Sequence, residues 1–112
     1  MTFEAGTIVL IPFPYSDLSV TKKRPVLMLT QPDGFGDFVA MPLTTKTQRA
    51  PALKVAAGAL PLGGTLPLNS WVKTGTVFSL SESQIVKPLG RVAEGDRAYC
   101  VQQLCQYLSR GN

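Results

Sequence analysis

Apolar residues come in short runs along this chain, and turn-forming residues separate them. Thr7 to Ile11 is β-branched and predicts a first strand, with Gly6 permitting a tight entry. Pro12 and Pro14 lack a backbone N–H and are expected to stop its ladder. Phe13 and Tyr15 between and beyond them are expected to pack. Ser16, Asp17, Leu18 and Ser19 have loop chemistry, so a loop is expected from about Pro12 to Lys23. Val26 to Thr30 predicts a second strand, with Pro25 at its mouth. Gln31 to Gly36 is a turn cluster, and Asp37 to Thr45 a third strand in which Pro42 implies an edge or a bulge. Ala52 to Val55 is a short fourth strand. The Gly-, Pro- and Leu-rich stretch 56–69 has no clear period and is expected to be a loop.

Ser70 to Leu80 carries the longest alternating signal. Val72, Thr74, Thr76, Phe78 and Leu80 share one face, and Trp71, Lys73, Gly75, Val77 and Ser79 the other. Gly75 in its middle implies a bulge or a sharp bend. Ser81 to Ser83 turns the chain. Gln84 to Val92 is a last strand, interrupted by Pro88 and Gly90. Asp96 stands near the positive end of a helix dipole, and Ala98, Val101, Leu104, Cys105 and Leu108 recur at helical spacing as an expected core-facing stripe. Gln102, Gln103 and Gln106 form its wet side, and Gly111 follows its end. Several short strands and one helix give a mainly β fold: a small antiparallel barrel with a C-terminal α-helix packed across it. The whole chain, residues 1–112, is one domain.

Charge changes this picture by being uneven. The net charge is +4. Residues 1–20 carry two anions and no cation, 21–93 carry nine cations against three anions, and 94–112 balance. The positive field belongs to the middle of the chain, where a polyanion would be met. Histidine is absent, which removes the commonest general acid/base and the commonest metal ligand. Cys100 and Cys105 on one helix would hold their Cα atoms about 8 Å apart, too far for a disulfide. Two thiols without histidine do not complete a zinc site, and their expected role is as small helix residues in a reducing compartment. No apolar run reaches membrane-spanning length, and Glu4 stands where a signal peptide has a basic start, so no membrane role and a cytoplasmic location are expected.

There is no nucleophile–histidine pair, no glycine-rich phosphate loop before a helix and no paired carboxylates at a plausible site; Asp33 and Asp37 flank a turn and make a weak metal pair. What remains is cationic and hydroxylic: Lys22, Lys23, Arg24, Thr44, Thr45, Lys46, Arg49 and Lys73. Arginine presents a planar fork to phosphate oxygens and stays charged, and threonine adds a hydroxyl donor. RNA brings its own nucleophile, the 2′-OH, so alignment and charge stabilisation would be enough for cleavage. From the residues alone, Arg24 is expected to be a surface ion-pair partner and Thr44 a strand-end hydrogen bonder.

The stretches Gly6 to Pro14, Lys23 to Leu27, Pro42 to Thr45, Ser70 to Lys73 and Ile85 to Gly90, in this order and spacing, resemble the PemK/MazF family of toxins from type II toxin–antitoxin systems. The similarity runs from about residue 5 to the end of the helix. It implies an SH3-like antiparallel barrel and a sequence-specific endoribonuclease acting on single-stranded RNA without metal or cofactor. It also implies a homodimer, with a cognate antitoxin as inhibitor. Arg24 and Thr44 match the family's catalytic arginine and threonine; Lys22, Lys23, Thr45, Lys46, Arg49 and Lys73 are expected to contact the RNA backbone. The chain departs from the pattern at Thr7, where many relatives have aspartate. It departs again at Lys73 and Gly75, where some have arginine and aspartate. Glycine supplies no carboxylate, which keeps open an RNA-binding relative with weak or lost cleavage. A gyrase-targeting toxin of related fold is a third reading.

Overall fold

The computed structural model describes residues 3–14 and 21–110, and of Phe13, Pro14 and Thr21 the backbone only. Tyr15, the loop residues 16–20 and Gly111 lie outside the described residues. Nine strands are present among the described residues: β1 (Thr7–Pro14), β2 (Thr21–Met28), β3 (Asp37–Thr44), β4 (Leu53–Val55), β5 (Gly58–Ala59), β6 (Thr65–Leu66), β7 (Ser70–Val72), β8 (Phe78–Ser81) and β9 (Lys87–Arg91). One helix, α1 (Glu94–Ser109), closes the chain. The main sheet is antiparallel, in the order β4-β7-β3-β2-β1-β9, with β8 also on β3. It curls into a half-barrel, in line with the expected mainly β fold and C-terminal helix.

The sheet is apolar on both faces, because neighbouring strand residues point opposite ways. Ile8, Leu27, Leu29, Met41, Leu43 and Val72 fill one cluster, which Cys100, Tyr99, Val101 and Leu104 of α1 cover. Val9, Ile11, Val26, Met28, Phe38 and Ala40 fill the other, capped by Phe3, Leu80 and Ile85. Two-sided burial explains the unbroken Val26-Leu27-Met28-Leu29 run. Each fully buried side chain of this size contributes roughly 1.5–3 kcal/mol.

Several expectations need correction. β1 does not stop at Pro12 but continues through Pro14, paired to β2. The Leu10 carbonyl accepts from Val86 N–H, on the side away from β2. Pro12 and Pro14, two and four residues on, face that same side, where β9 no longer pairs; their missing N–H groups cost no ladder bond. Likewise, β2 begins at Thr21, so the basic triplet and Pro25 lie inside the strand. The β3 ladder ends at Val26, which leaves Pro25 beside an open edge. Pro42 is in no edge strand. It sits where β3 changes partner, after the β8 ladder ends at Ala40 and before the β7 ladder starts at Leu43.

The stretch 56–69 is not all loop: β5 and β6 pair as a small hairpin. Its Gly64, at φ +79°, forms a bridge to Gly90. A Cβ on Gly64 would lie 2.2 Å from the Leu89 carbonyl oxygen. Ser70 to Leu80 is two strands, not one; Thr76 N–H donates to the Lys73 carbonyl and folds 73–77 into a turn around Gly75. The predicted alternation still holds, with Val72 and Thr74 buried and Lys73 and Gly75 exposed.

On α1 the expected stripe is shifted. Val101 and Leu104 meet the core, but Ala98 and Cys105 are exposed and Leu108 is 65% exposed. Cys100 and Tyr99 take their places. Arg97 fixes this rotation. Its Nη1 donates to the Leu29 carbonyl at 3.0 Å, while Nε and Nη2 grip Glu94. The last turns then run past the packed strands beside an open groove lined by Gln102, Gln106 and Tyr107.

Two outcomes follow for stability. Burial, aided by the Asp96 charge, pushes the Cys100 thiol up to about 12 from its ordinary 9.0. Cys105 is exposed, so a thiol reagent should label one cysteine in the native protein and two after denaturation. The raised folded pKa makes the Cys100 contribution complete below about pH 9 and lost as pH climbs towards 12, which an alkaline denaturation series reads. Separately, Gly64→Ala should cost about 2 kcal/mol or more in urea unfolding, through clash and positive φ. Gly95→Ala, on the open first turn of α1, should be neutral or stabilising.

Candidate active site

The site grows out of strand register. β2 and β3 pair from Met28–Ala40 to Val26–Pro42. Carried two residues further, that register sets Arg24 against Thr44. Both project from the sheet face of the second apolar cluster, since Arg24 follows the parity of Val26 and Met28, and Thr44 that of Phe38 and Ala40. Arg24 is half-buried and pairs with Ile11 of β1 on its other side. Arg24 and Thr44 line a cavity of about 220 Å³ with Pro42, Leu43, Lys73, Thr76 and Phe78.

Each element reaches the cavity for a local reason. Thr44 is the last residue of β3, and its Oγ1 accepts the Lys46 N–H at 3.2 Å. That bond occupies a lone pair and leaves the hydroxyl proton for a ligand. Gln48 braces the loop by donating from Nε2 to the Lys46 carbonyl at 3.0 Å. Lys73 is held at the end of β7 by its N–H on the Pro42 carbonyl at 3.0 Å. The turn closed by Thr76 N–H on the Lys73 carbonyl carries Thr76 and Phe78 to the cavity wall.

Of the sequence-predicted residues, the structure brings Arg24, Thr44 and Lys73 together around one cavity. Lys22 and Lys23 are exposed on β2, upstream of Arg24, and Thr45, Lys46 and Arg49 are exposed in the segment after β3. None of these five lines the cavity. Thr76 and Phe78 were missed as site residues. Their place on the cavity follows from the turn that breaks the expected 70–80 strand after Lys73, which nothing in the alternation signals.

Charge is divided along β3. Asp37 opens the strand, and Asp33 and Glu82 stand beside that end: Gly36, in the turn that Asp33 anchors, accepts the Glu82 N–H at 2.7 Å. Thr44 ends it, about 23 Å away at the rise of an extended strand. The other end gathers Lys22, Lys23 and Arg24 of β2, Lys46 and Arg49 after β3, Lys54 of β4 and Lys73 after β7, with no acidic residue in those segments. The Asp33 carboxylate accepts N–H bonds from Asp37 and Phe35, which hold its pKa below the usual carboxylate value and tie it to turn structure. Among the described residues no three His, Cys, Asp or Glu side chains are grouped to hold a metal ion.

The arrangement can bind a phosphodiester, with a guanidinium fork, a hydroxyl donor and an ammonium on one cavity, inside a positive field. No protein of curated function matches the chain. Three solved structures share its fold. An endoribonuclease from a mycobacterial species, in complex with its cognate antitoxin, superposes with a TM-score of 0.71 at 18% identity, over 96% of this chain and 95% of that one. A second mycobacterial endoribonuclease gives 0.66 at 20% identity, over 96% and 91%. The Mycobacterium tuberculosis toxin MazF-mt6 gives 0.67 at 16% identity, over 92% and 96%. The family model of PemK-like, MazF-like toxins of type II toxin–antitoxin systems matches residues 4–108, nearly the whole chain, and the protein belongs to that family.

Proposed function

We propose that this protein is the toxin of a type II toxin–antitoxin pair and an endoribonuclease that cuts single-stranded RNA without a metal ion. The observation that carries this reading is the shared cavity of Arg24 and Thr44, two residues matching the family's catalytic positions, with Lys73 on its wall. The RNA 2′-oxygen attacks the adjacent phosphorus, forming the 2′-O–P bond as the P–O5′ bond breaks. The 2′ proton leaves to water at the open cavity, and the departing 5′-oxygen takes a proton from water. Arg24 donates to the non-bridging oxygens, where charge builds on the pentacoordinate phosphorus. Thr44, its oxygen pinned by Lys46 N–H, donates its proton to the same group and fixes its orientation. Lys73 adds a phosphate contact, and Lys22, Lys23, Thr45, Lys46 and Arg49 extend the positive track along the strand.

A second reading, RNA binding with weak cleavage, draws on Gly75. The turn beside the cavity offers no carboxylate where some relatives have one, so among the described residues none that lines the cavity is an evident general base. In either case the protein acts where RNA is, in the cytoplasm. A homodimer and a cognate antitoxin that covers the cationic end of β3 complete the proposal; one of the structural relatives was solved in complex with its cognate antitoxin.

Purified protein incubated with single-stranded RNA and EDTA should yield fragments ending in 2′,3′-cyclic phosphate. Arg24→Ala should lower the rate by about 10²–10³-fold with the fold intact by circular dichroism, Arg24→Lys should recover only part of it because the fork is lost, and Thr44→Val should lower it likewise. Salt-sensitive binding with intact RNA would select the second reading, and wild-type rates in Arg24→Ala would remove both.

A further inference from the structure

Cross-strand pairing places an aromatic residue directly beside Thr44. Thr44 of β3 pairs with Trp71 of β7, and Trp71 pairs with Lys54 of β4. Directly paired residues project from the same face of a sheet. With Arg24 set against Thr44 by the β2–β3 register, one row crosses four strands: Lys54, Trp71, Thr44, Arg24. It spans about 14 Å at the usual strand spacing, a length of a few nucleotides.

Trp71 is not a core residue. Its neighbours Ser70 and Val72 turn inward and are buried, and Trp71 turns the other way. Among the described residues its ring belongs to neither apolar cluster nor to the side chains packed against them. What it touches is a cation: Lys54 Nζ lies 5.5 Å from the ring centroid. β4 is also the end of the sheet order, so no further strand lies beyond Lys54. A large half-buried indole, next to a hydroxyl that binds phosphate, capped by a mobile ammonium and free of acidic neighbours on β4, β7 and the end of β3, has the makeup of a single-strand platform.

We propose that Trp71 is a base-stacking subsite of the RNA site, taking the nucleobase beside the phosphate held by Arg24 and Thr44. The base replaces the Lys54 ammonium on the indole face, and Lys54 swings to the adjoining phosphate. Stacking accepts any base, so Trp71 sets the position and strength of binding rather than a sequence code. This rests on the proposed RNA-cleaving function and deepens it.

Trp71 is the single tryptophan of the chain, so its fluorescence reports this site alone. The probe is a short, end-labelled single-stranded RNA of mixed sequence, fully 2′-O-methylated so that the nucleophile is blocked, with an abasic strand of equal length as control. Label anisotropy reads binding, and tryptophan emission from unlabelled strands reads stacking. Saturable quenching by the RNA, and little by the abasic strand, is expected. Trp71→Leu should weaken anisotropy-detected binding by roughly tenfold or more, and Trp71→Phe should retain most of it. Lys54→Gln should reduce the salt slope by about one. Binding without quenching, or equal quenching by the abasic strand, would falsify the subsite and leave the cleavage proposal standing. No binding by anisotropy would overturn both. Should Trp71→Leu fail to fold, the wild-type quenching and Trp71→Phe still decide.

Discussion

The backbone hydrogen bonds of β3 organise everything that functions here. This strand bonds β2 on one side, and β8 and then β7 in succession on the other. The change of partner falls at Met41 and Pro42, where a residue without an N–H removes a donor that no ladder would use. Because register is discrete, the choice of partners sets the lateral neighbours of Thr44 without freedom to drift. Arg24 falls on one side and Trp71 on the other. A slip of one residue would turn Thr44 to the opposite face of the sheet, away from Arg24.

That register also sorts charge. The acidic turn around Asp33, Asp37 and Glu82 and the cationic end around Arg24, Lys46 and Lys73 lie at opposite ends of one strand. They are farther apart than the screening length of physiological salt, about 8 Å. The acidic turn therefore does little to screen the cationic end. Elsewhere cations are consumed by structure: Arg91 pairs with Glu4 at 2.8 Å, and Arg97 pins α1 to Leu29 and Glu94.

In the proposed mechanism the chemistry is carried by groups that do not titrate near neutrality. A guanidinium stays charged, and a threonine hydroxyl stays protonated. Their contribution is geometric and electrostatic, and it depends on rigid mounting: Arg24 on β2 paired to Ile11 of β1, Thr44 with its oxygen held by Lys46. Gly75 gives no carboxylate, and the turn after Lys73 delivers Thr76 and Phe78 to the wall.

Much of this was legible in the sequence, where local composition and period decide the outcome. Short β-branched runs gave the strands, the alternation of 70–80 gave the inward face even across a break, and the excess of cations in the middle of the chain pointed to a polyanion. Arg24 and Thr44 belonged to the cationic and hydroxylic set that remains when histidine and paired carboxylates are missing, and the family resemblance singled them out within it. Other features depended on partners far away in the chain. Prolines 12, 14, 25 and 42 are tolerated in strands only because of which edge each one faces, and edges exist only after the sheet has assembled. The buried side of α1 was set by Arg97 reaching Leu29, not by its own period. The hairpin in 56–69 exists because Gly64 and Gly90 can approach where any Cβ would collide. The row from Lys54 through Trp71 and Thr44 to Arg24 joins four segments that share no local pattern. The chemical character of the site was thus a property of the residues, while their assembly into one site was a property of non-local hydrogen-bond register, which only the folded sheet could decide.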